Sequence, residues 1–232
     1  MDAVSAPTHP ISDAVTEYAS ASESVSLRRL RRSELPAATI ALARFLIGKV
    51  IVRELAAGRM AGRIVETEAY PPRDPAAHHF RGPTPRNRSM FLRRGHAYVY
   101  FTYGNHFMLN VSSETPGIGG GVLIRALEPV EGIHQMERHR ATTRLLDLTR
   151  GPGRLASALQ IDRSVDGLDL CAPGPLWLGV LSPLHNPPGS EKSLARRLGI
   201  SPRIGITRAA RRLLRFYERG SRFVSGSARL RA

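Results

Sequence analysis

Ala97-Tyr-Val-Tyr-Phe-Thr-Tyr-Gly-Asn-His-Phe-Met-Leu-Asn-Val-Ser-Ser113 divides into two runs rich in aromatic and branched residues, Ala97–Tyr103 and Phe107–Ser113, with Gly104-Asn105 between them. Such residues favour extended chain, and a Gly-Asn pair joining two runs is a hairpin signal. Upstream, Val50–Leu55 and Met60–Thr67 form a second strand pair across a turn containing Gly58. Downstream, the glycine run Gly117–Gly121 leads into a strand at Val122–Leu127. Ser33 caps a helix with Pro36 in its first turn, running on through Ala37–Ile47. Further short helices fall at Glu131–Arg140 and Arg154–Ala158, and Phe223-Val224-Ser225 reads as a last strand. Strands adjacent in sequence with tight turns imply an antiparallel or mixed sheet with helices around it, an α+β protein.

Residues 1–27 are rich in Ala, Ser, Thr and Pro without apolar periodicity and read as a flexible tail, with order starting near Ser33. No apolar run is long enough to span a membrane. The first residues lack a basic and an apolar region, so no secretory signal is expected and the location is cytoplasmic. Cys171 is the only cysteine, which excludes an intramolecular disulfide and argues against a thiolate metal site. The 232 residues carry 34 bases and 19 acids, a net charge of +15. The excess is heaviest from Lys192 onward, where 12 bases meet one acid, Glu218. Charge of this size and sign favours a polyanion, most often nucleic acid.

Glu66 and Glu68, two apart in a strand, share a face. A carboxylate there, ahead of the Pro-rich loop Tyr70–Asn87, is a candidate general base; the alternative is a surface acid paired with an arginine. The loop carries adjacent His78 and His79, but no metal-binding helical spacing accompanies them. Tyr98, Tyr100, Phe101 and Tyr103 are strand aromatics, suited to cross-strand packing or to stacking on unstacked bases. Thr84-Pro-Arg-Asn-Arg88 is a compact basic loop able to hold phosphates. Gly117–Gly121 lacks the ending of a phosphate-binding loop, so nucleotide hydrolysis is not indicated.

Taken together, Glu66-Thr-Glu-Ala-Tyr70, Asp74-Pro-Ala-Ala-His78, Thr84-Pro-Arg-Asn-Arg-Ser-Met-Phe91, Tyr98-Val-Tyr-Phe-Thr-Tyr-Gly104, Asn110-Val-Ser-Ser113 and Val122-Leu-Ile-Arg-Ala-Leu-Glu-Pro129 resemble the alkyladenine DNA glycosylase family. Gly151–Leu155, Arg203–Ile206 and Arg215–Tyr217 extend the likeness over residues 28–226, leaving 227–232 as a C-terminal tail. The resemblance implies one compact mixed α/β domain: a curved antiparallel sheet, surrounding helices and a protruding hairpin that inserts into DNA. It implies a monomer that flips alkylated or deaminated purines from double-stranded DNA and hydrolyses the N-glycosidic bond, with no cofactor and no metal. By motif order Glu68 activates the water, Arg125 lies beside water and phosphate, and Tyr70, His78 and Tyr100 surround the flipped base. His79 is the alternative for the position of His78. Asn110 crowds normal guanine, and Tyr103 fills the gap in the duplex. Arg86, Asn87, Asn105, His106, Arg211 and Arg212 complete the expected DNA contacts. The rival reading is a DNA-binding protein that kept the fold without the reaction.

Overall fold

The computed structural model describes residues 25–102, 104, 106–182 and 197–226. Its framework is a nine-stranded antiparallel sheet, and the chain is an α+β domain with that sheet curved around its longest strand. In chain order the strands are β1 (Leu27–Arg29), β2 (Val50–Leu55), β3 (Gly58–Tyr70), β4 (Ala97–Thr102), β5 (His106–Ser112), β6 (Gly121–Glu131), β7 (Leu176–Leu181), β8 (Leu198–Ser201) and β9 (Arg215–Glu218). The main path runs β1-β7-β2-β3-β6-β5-β4. β3 is the hinge of this arrangement. On one side it pairs with β6 along most of its length. On the other, β2 covers Gly58–Arg63 and β9 covers Glu66–Glu68. Helices α1 (Thr39–Leu46), α2 (Ile133–Arg140), α3 (Leu145–Thr149) and α4 (Pro152–Ala158) pack around the sheet. The main core joins Leu42 and Leu46 of α1 to Ile64, Leu109, Ile124 and Leu127 of the sheet, all fully buried.

Both hairpins appear where alternation and turn residues place them. Three expectations are corrected. The first helix begins at Thr39 rather than over Pro36, because its capping partner is remote: the Thr39 amide donates to Glu114 Oε1 at 2.8 Å. Ser33 lies instead in a short 3-10 turn, Arg32–Glu34. Ladder pairing already starts at Leu27, which faces Leu181. Phe223–Ser225 is no strand; it turns back beneath the sheet, and the Ser225 amide serves a carboxylate instead of a ladder.

β8 and β9 close against each other at Gly199, which faces Tyr217. A methyl group added at Gly199 would overlap the Tyr217 ring. Overpacking of this kind costs about 1–3 kcal/mol. Gly199→Ala is therefore expected to lower the thermal midpoint by several degrees in calorimetry, and an unchanged midpoint would show that β8 shifts freely.

Candidate active site

The site grows from two irregularities in the β3–β6 ladder. Ile64 faces Leu127 and Glu66 faces Ala126, so Val65 is an extra residue on β3. Thr67 then faces Ile124, so Arg125 is the extra residue on β6. Bulges re-aim side chains at such points. Here Arg125 reaches both carboxylates, with Nε 3.0 Å from Glu66 Oε1 and Nη1 3.2 Å from Glu68 Oε1. Burial works against the charge of Arg125, but Glu68 and Glu66 together outweigh it and hold its pKa above the ordinary guanidinium value.

The two carboxylates share a face and are both fully buried, yet they differ in partners. Glu66 is a structural hub. Its Oε1 accepts from Arg125, from Arg215 Nε at 2.6 Å and from Ser225 Oγ at 2.9 Å, and its Oε2 accepts from the Ser225 amide at 2.6 Å. Glu68 lines a cavity of about 320 Å³. Its Oε1 accepts from the Ile204 amide at 2.8 Å, and its Oε2 accepts from the Tyr70 hydroxyl at 2.9 Å. Glu68 does not sit at a strand end, since β3 continues to Tyr70. Nor is it a surface acid.

The cavity is walled by Tyr70, His78, Tyr98, Tyr100, Asn110 and Arg125, with Met90, Met108 and Leu123 among its apolar lining. The His78 and Tyr100 rings meet edge to face at 4.4 Å, and Tyr98 stacks on Tyr100 at 5.4 Å. His78 Nδ1 lies 3.0 Å from the Tyr98 hydroxyl. Burial, then the charges of Arg86 and His79, push the His78 pKa below its ordinary value, so the ring is neutral at pH 7. Burial likewise raises the Tyr70 hydroxyl, helped by Glu68, and Tyr70 remains a donor. Asn110 faces Tyr98 across the β4–β5 pair and donates from Nδ2 to its carbonyl at 3.2 Å. His79, the alternative for the pocket, points elsewhere: its Nε2 lies 3.1 Å from the Pro71 carbonyl.

The residues assigned to DNA separate into groups. Tyr103 and Asn105 lie outside the described residues. Arg86 is exposed, donates to the Phe101 carbonyl at 3.1 Å and stands 5.9 Å over the Tyr100 ring, beside the hairpin. Asn87 is buried at 3 % exposure. Its Nδ2 donates to the carbonyls of His78 and Gly82, and its Oδ1 accepts from the Thr84 amide. That side chain ties the loop that carries Arg86. His106 is half-buried, its ring seated against Gly153, where a Cβ would come within 2.8 Å. Arg211 and Arg212 are exposed, with Arg212 Nη1 3.6 Å from Asp74 Oδ2. Arg215, which belongs to the same arginine-rich run, is fully buried on Glu66 and is no surface contact. Among the described residues no three of His, Cys, Asp and Glu converge as a metal site.

Asp74, Arg203 and Arg215 stood in the family motifs without an assigned role and Ser225 in an expected strand, and all four build the site. One signal was available: Arg215 interrupts the apolar run Leu213–Tyr217, and a charge embedded in an apolar run needs a buried partner.

Residues 33–222 match the family model of methylpurine-DNA glycosylase (MPG). Proteins carrying the name "Putative 3-methyladenine DNA glycosylase" are similar over most of their length. The one from Mesorhizobium japonicum is 63% identical over 85% of this chain and 90% of its own. Those from Paraburkholderia phytofirmans and Methanoculleus marisnigri are 49% and 46% identical, over 87% and 82% of this chain and 90% and 98% of theirs. With a family match that covers β2 to β9 and every residue lining the aromatic cavity, this chain belongs to the methylpurine-DNA glycosylase family.

Proposed function

We propose that this protein releases alkylated or deaminated purines, of the 3-methyladenine, 7-methylguanine, hypoxanthine and ethenoadenine type, from double-stranded DNA by hydrolysing the N-glycosidic bond. The observation that carries the reading is Glu68: a fully buried carboxylate facing an aromatic cavity, with one oxygen still able to take a proton. Among the described residues Oε1 meets the Ile204 amide and Arg125, and Oε2 accepts from the Tyr70 hydroxyl. A carboxylate oxygen accepts about two hydrogen bonds, so Oε2 keeps one position for water.

A base inside the stack cannot reach this cavity, and the nucleotide must be flipped out. The volume, about 320 Å³, lies at the low end of small-molecule sites and suits one planar heterocycle. Tyrosine faces attract cationic alkylated purines, and neutral His78 does not oppose them. The C1′–N bond breaks with its electron pair leaving on the base. The water oxygen then bonds to C1′ and its proton passes to Glu68. The developing oxocarbenium charge is stabilised by the same carboxylate. No lysine lines the cavity among the described residues, so a Schiff-base step has no nucleophile there. Exposed Arg86, Arg211 and Arg212, with Tyr103 of the hairpin, grip and wedge the duplex. The protein acts as a monomer in the cytoplasm. Among the described residues no helix is long and apolar enough to cross a membrane.

Glu68→Gln keeps the shape and removes the base. Single-turnover release from a duplex with one hypoxanthine or ethenoadenine is expected to fall by about 10²–10⁴-fold; undiminished release would overturn the assignment. Wild-type protein that binds such duplexes and releases no base would favour the purely binding alternative. Arg211→Ala and Arg212→Ala should weaken binding of any duplex and reduce its salt slope by about one for each phosphate left without its arginine. At saturating enzyme the release rate should hold. A fall in that rate with unchanged affinity would move those arginines from the duplex to the pocket.

A further inference from the structure

Arg203 is buried at 5 % exposure, more than 100 residues along the chain from every group that it touches. Its Nη1 lies 2.7 Å from Asp74 Oδ2 and its Nη2 3.1 Å from Asp74 Oδ1. Nη1 also donates to the Ala69 carbonyl at 2.9 Å. The guanidinium carbon stands 4.5 Å from the centroid of the Tyr70 ring. A planar fork reaches all of these partners at once through its two terminal nitrogens and its face, which a lysine ammonium cannot do.

The contacts lead to two walls of the cavity, the end of β3 and the loop that bears His78. Ala69 and Tyr70 end β3, and Asp74 starts the loop that bears His78, accepting from the Ala76 amide at 2.9 Å. The next residue after Arg203 is Ile204, whose amide binds Glu68 Oε1. Tyr70, whose ring Arg203 covers, binds Glu68 Oε2. Arg203 therefore adjoins one donor on each oxygen of Glu68 without touching the carboxylate, the Ile204 amide on Oε1 and the Tyr70 hydroxyl on Oε2, while Arg125 reaches Oε1 independently.

We propose that Arg203, paired with Asp74, is a positioning residue for Glu68: it fixes the Tyr70 hydroxyl and the Ile204 amide so that the carboxylate presents one oxygen to water. The inference rests on the proposed glycosylase reaction. A displacement of about 1 Å at such a site can cost on the order of 10²-fold in rate.

The test compares the full-length wild type with Arg203→Lys and Asp74→Asn in three measurements: thermal unfolding, affinity for a duplex with a tetrahydrofuran abasic site, and single-turnover release of hypoxanthine at saturating enzyme. The abasic duplex presents no base to the cavity. Release is expected to fall by about ten- to a hundredfold while affinity for the abasic duplex holds. A role confined to folding would lower stability and affinity together, and a folded Arg203→Lys releasing base at the wild-type rate overturns the proposal. If Arg203→Lys does not fold, Tyr70→Phe is combined with Asp74→Asn. Losses that are less than additive support action through the Tyr70 hydroxyl, and additive losses overturn it. Wild type that releases no base from any lesion duplex overturns the reaction itself. The positioning role is then read from the fluorescence of ethenoadenine in the bound duplex: a change in Arg203→Lys sustains it, and an unchanged signal overturns it.

Discussion

Glu66, Glu68 and Asp74 are carboxylates with no access to solvent, and Arg125, Arg203 and Arg215 are the guanidiniums that answer them, each at most 8 % exposed. Removing an ion from water costs several kcal/mol even after relaxation, and only close partners with satisfied hydrogen bonds repay it. The structure answers that cost by matching three carboxylates with three guanidiniums, with Arg203 Nε and Asp74 Oδ2 left without a hydrogen bond among the described residues. Arg215 closes on Glu66, Arg203 closes on Asp74, and Arg125 bridges Glu66 and Glu68. The six groups come from β3, the loop after it, β6, β9 and the segment before β9. The charged hub is what fastens the C-terminal part of the chain to the middle strand. A hydrophobic cluster of equal volume would hold these segments as well or better. It would not place a carboxylate on the wall of a cavity.

The sheet supplies the geometry that the charges need. A regular ladder would alternate residues strictly across β3 and β6. The extra residue on each strand, Val65 and then Arg125, shifts the register out and back within a few positions. The ladder beyond is restored, with Glu68 facing Leu123 and Tyr70 facing Gly121. The β6 bulge at this point belongs to the side chain that spans both carboxylates. β9 covers β3 only over Glu66–Glu68, the same short span. Glu66 binds the C-terminal segment as well, through Ser225. Glu66 thus stands between the cavity and the chain's end, leaving Glu68 free for the cavity.

What was legible in the sequence was local. Alternation and turn residues place β2, β4, β5 and β6 within a few residues, because strand pairing across short turns leaves its signature in neighbouring positions. The residues carried by the family resemblance, Glu68, Tyr70, His78, Tyr100, Asn110 and Arg125, are brought by the fold to one cavity. Spacing alone favoured a surface acid over a catalytic Glu68, since period-2 alternation says which face a side chain takes and not what covers that face. The hub was illegible for the same reason. Arg203 and Asp74 are 129 residues apart, and Ser225 and Glu66 are 159 apart. The bulges are single-residue slips with no period. Asn87 looked like part of a phosphate-binding loop because it stands between two arginines, yet asparagine is also the residue that folds a loop onto itself through backbone carbonyls.

The arginine-rich end shows how far net charge can mislead when read as surface. Of the 12 bases after residue 191, Arg203 and Arg215 are spent inside the protein on carboxylates more than 120 positions away. Arg197 is occupied at the surface by Glu218, at 3.0 Å. The local excess of positive charge in the sequence is thus partly an artefact of distance: its counter-charges lie in the middle of the chain, where β3 and its loop appear almost neutral. What remains for a polyanion is the exposed part of the run, Arg211 and Arg212 among it, on the segment that joins the Ile204–Ile206 wall of the cavity to β9. Grip and chemistry are therefore not divided between one end of the chain and the middle. On the proposed reading they are interleaved along a single segment, whose buried arginines build the pocket and whose exposed ones, Arg211 and Arg212, are the ones open to phosphates.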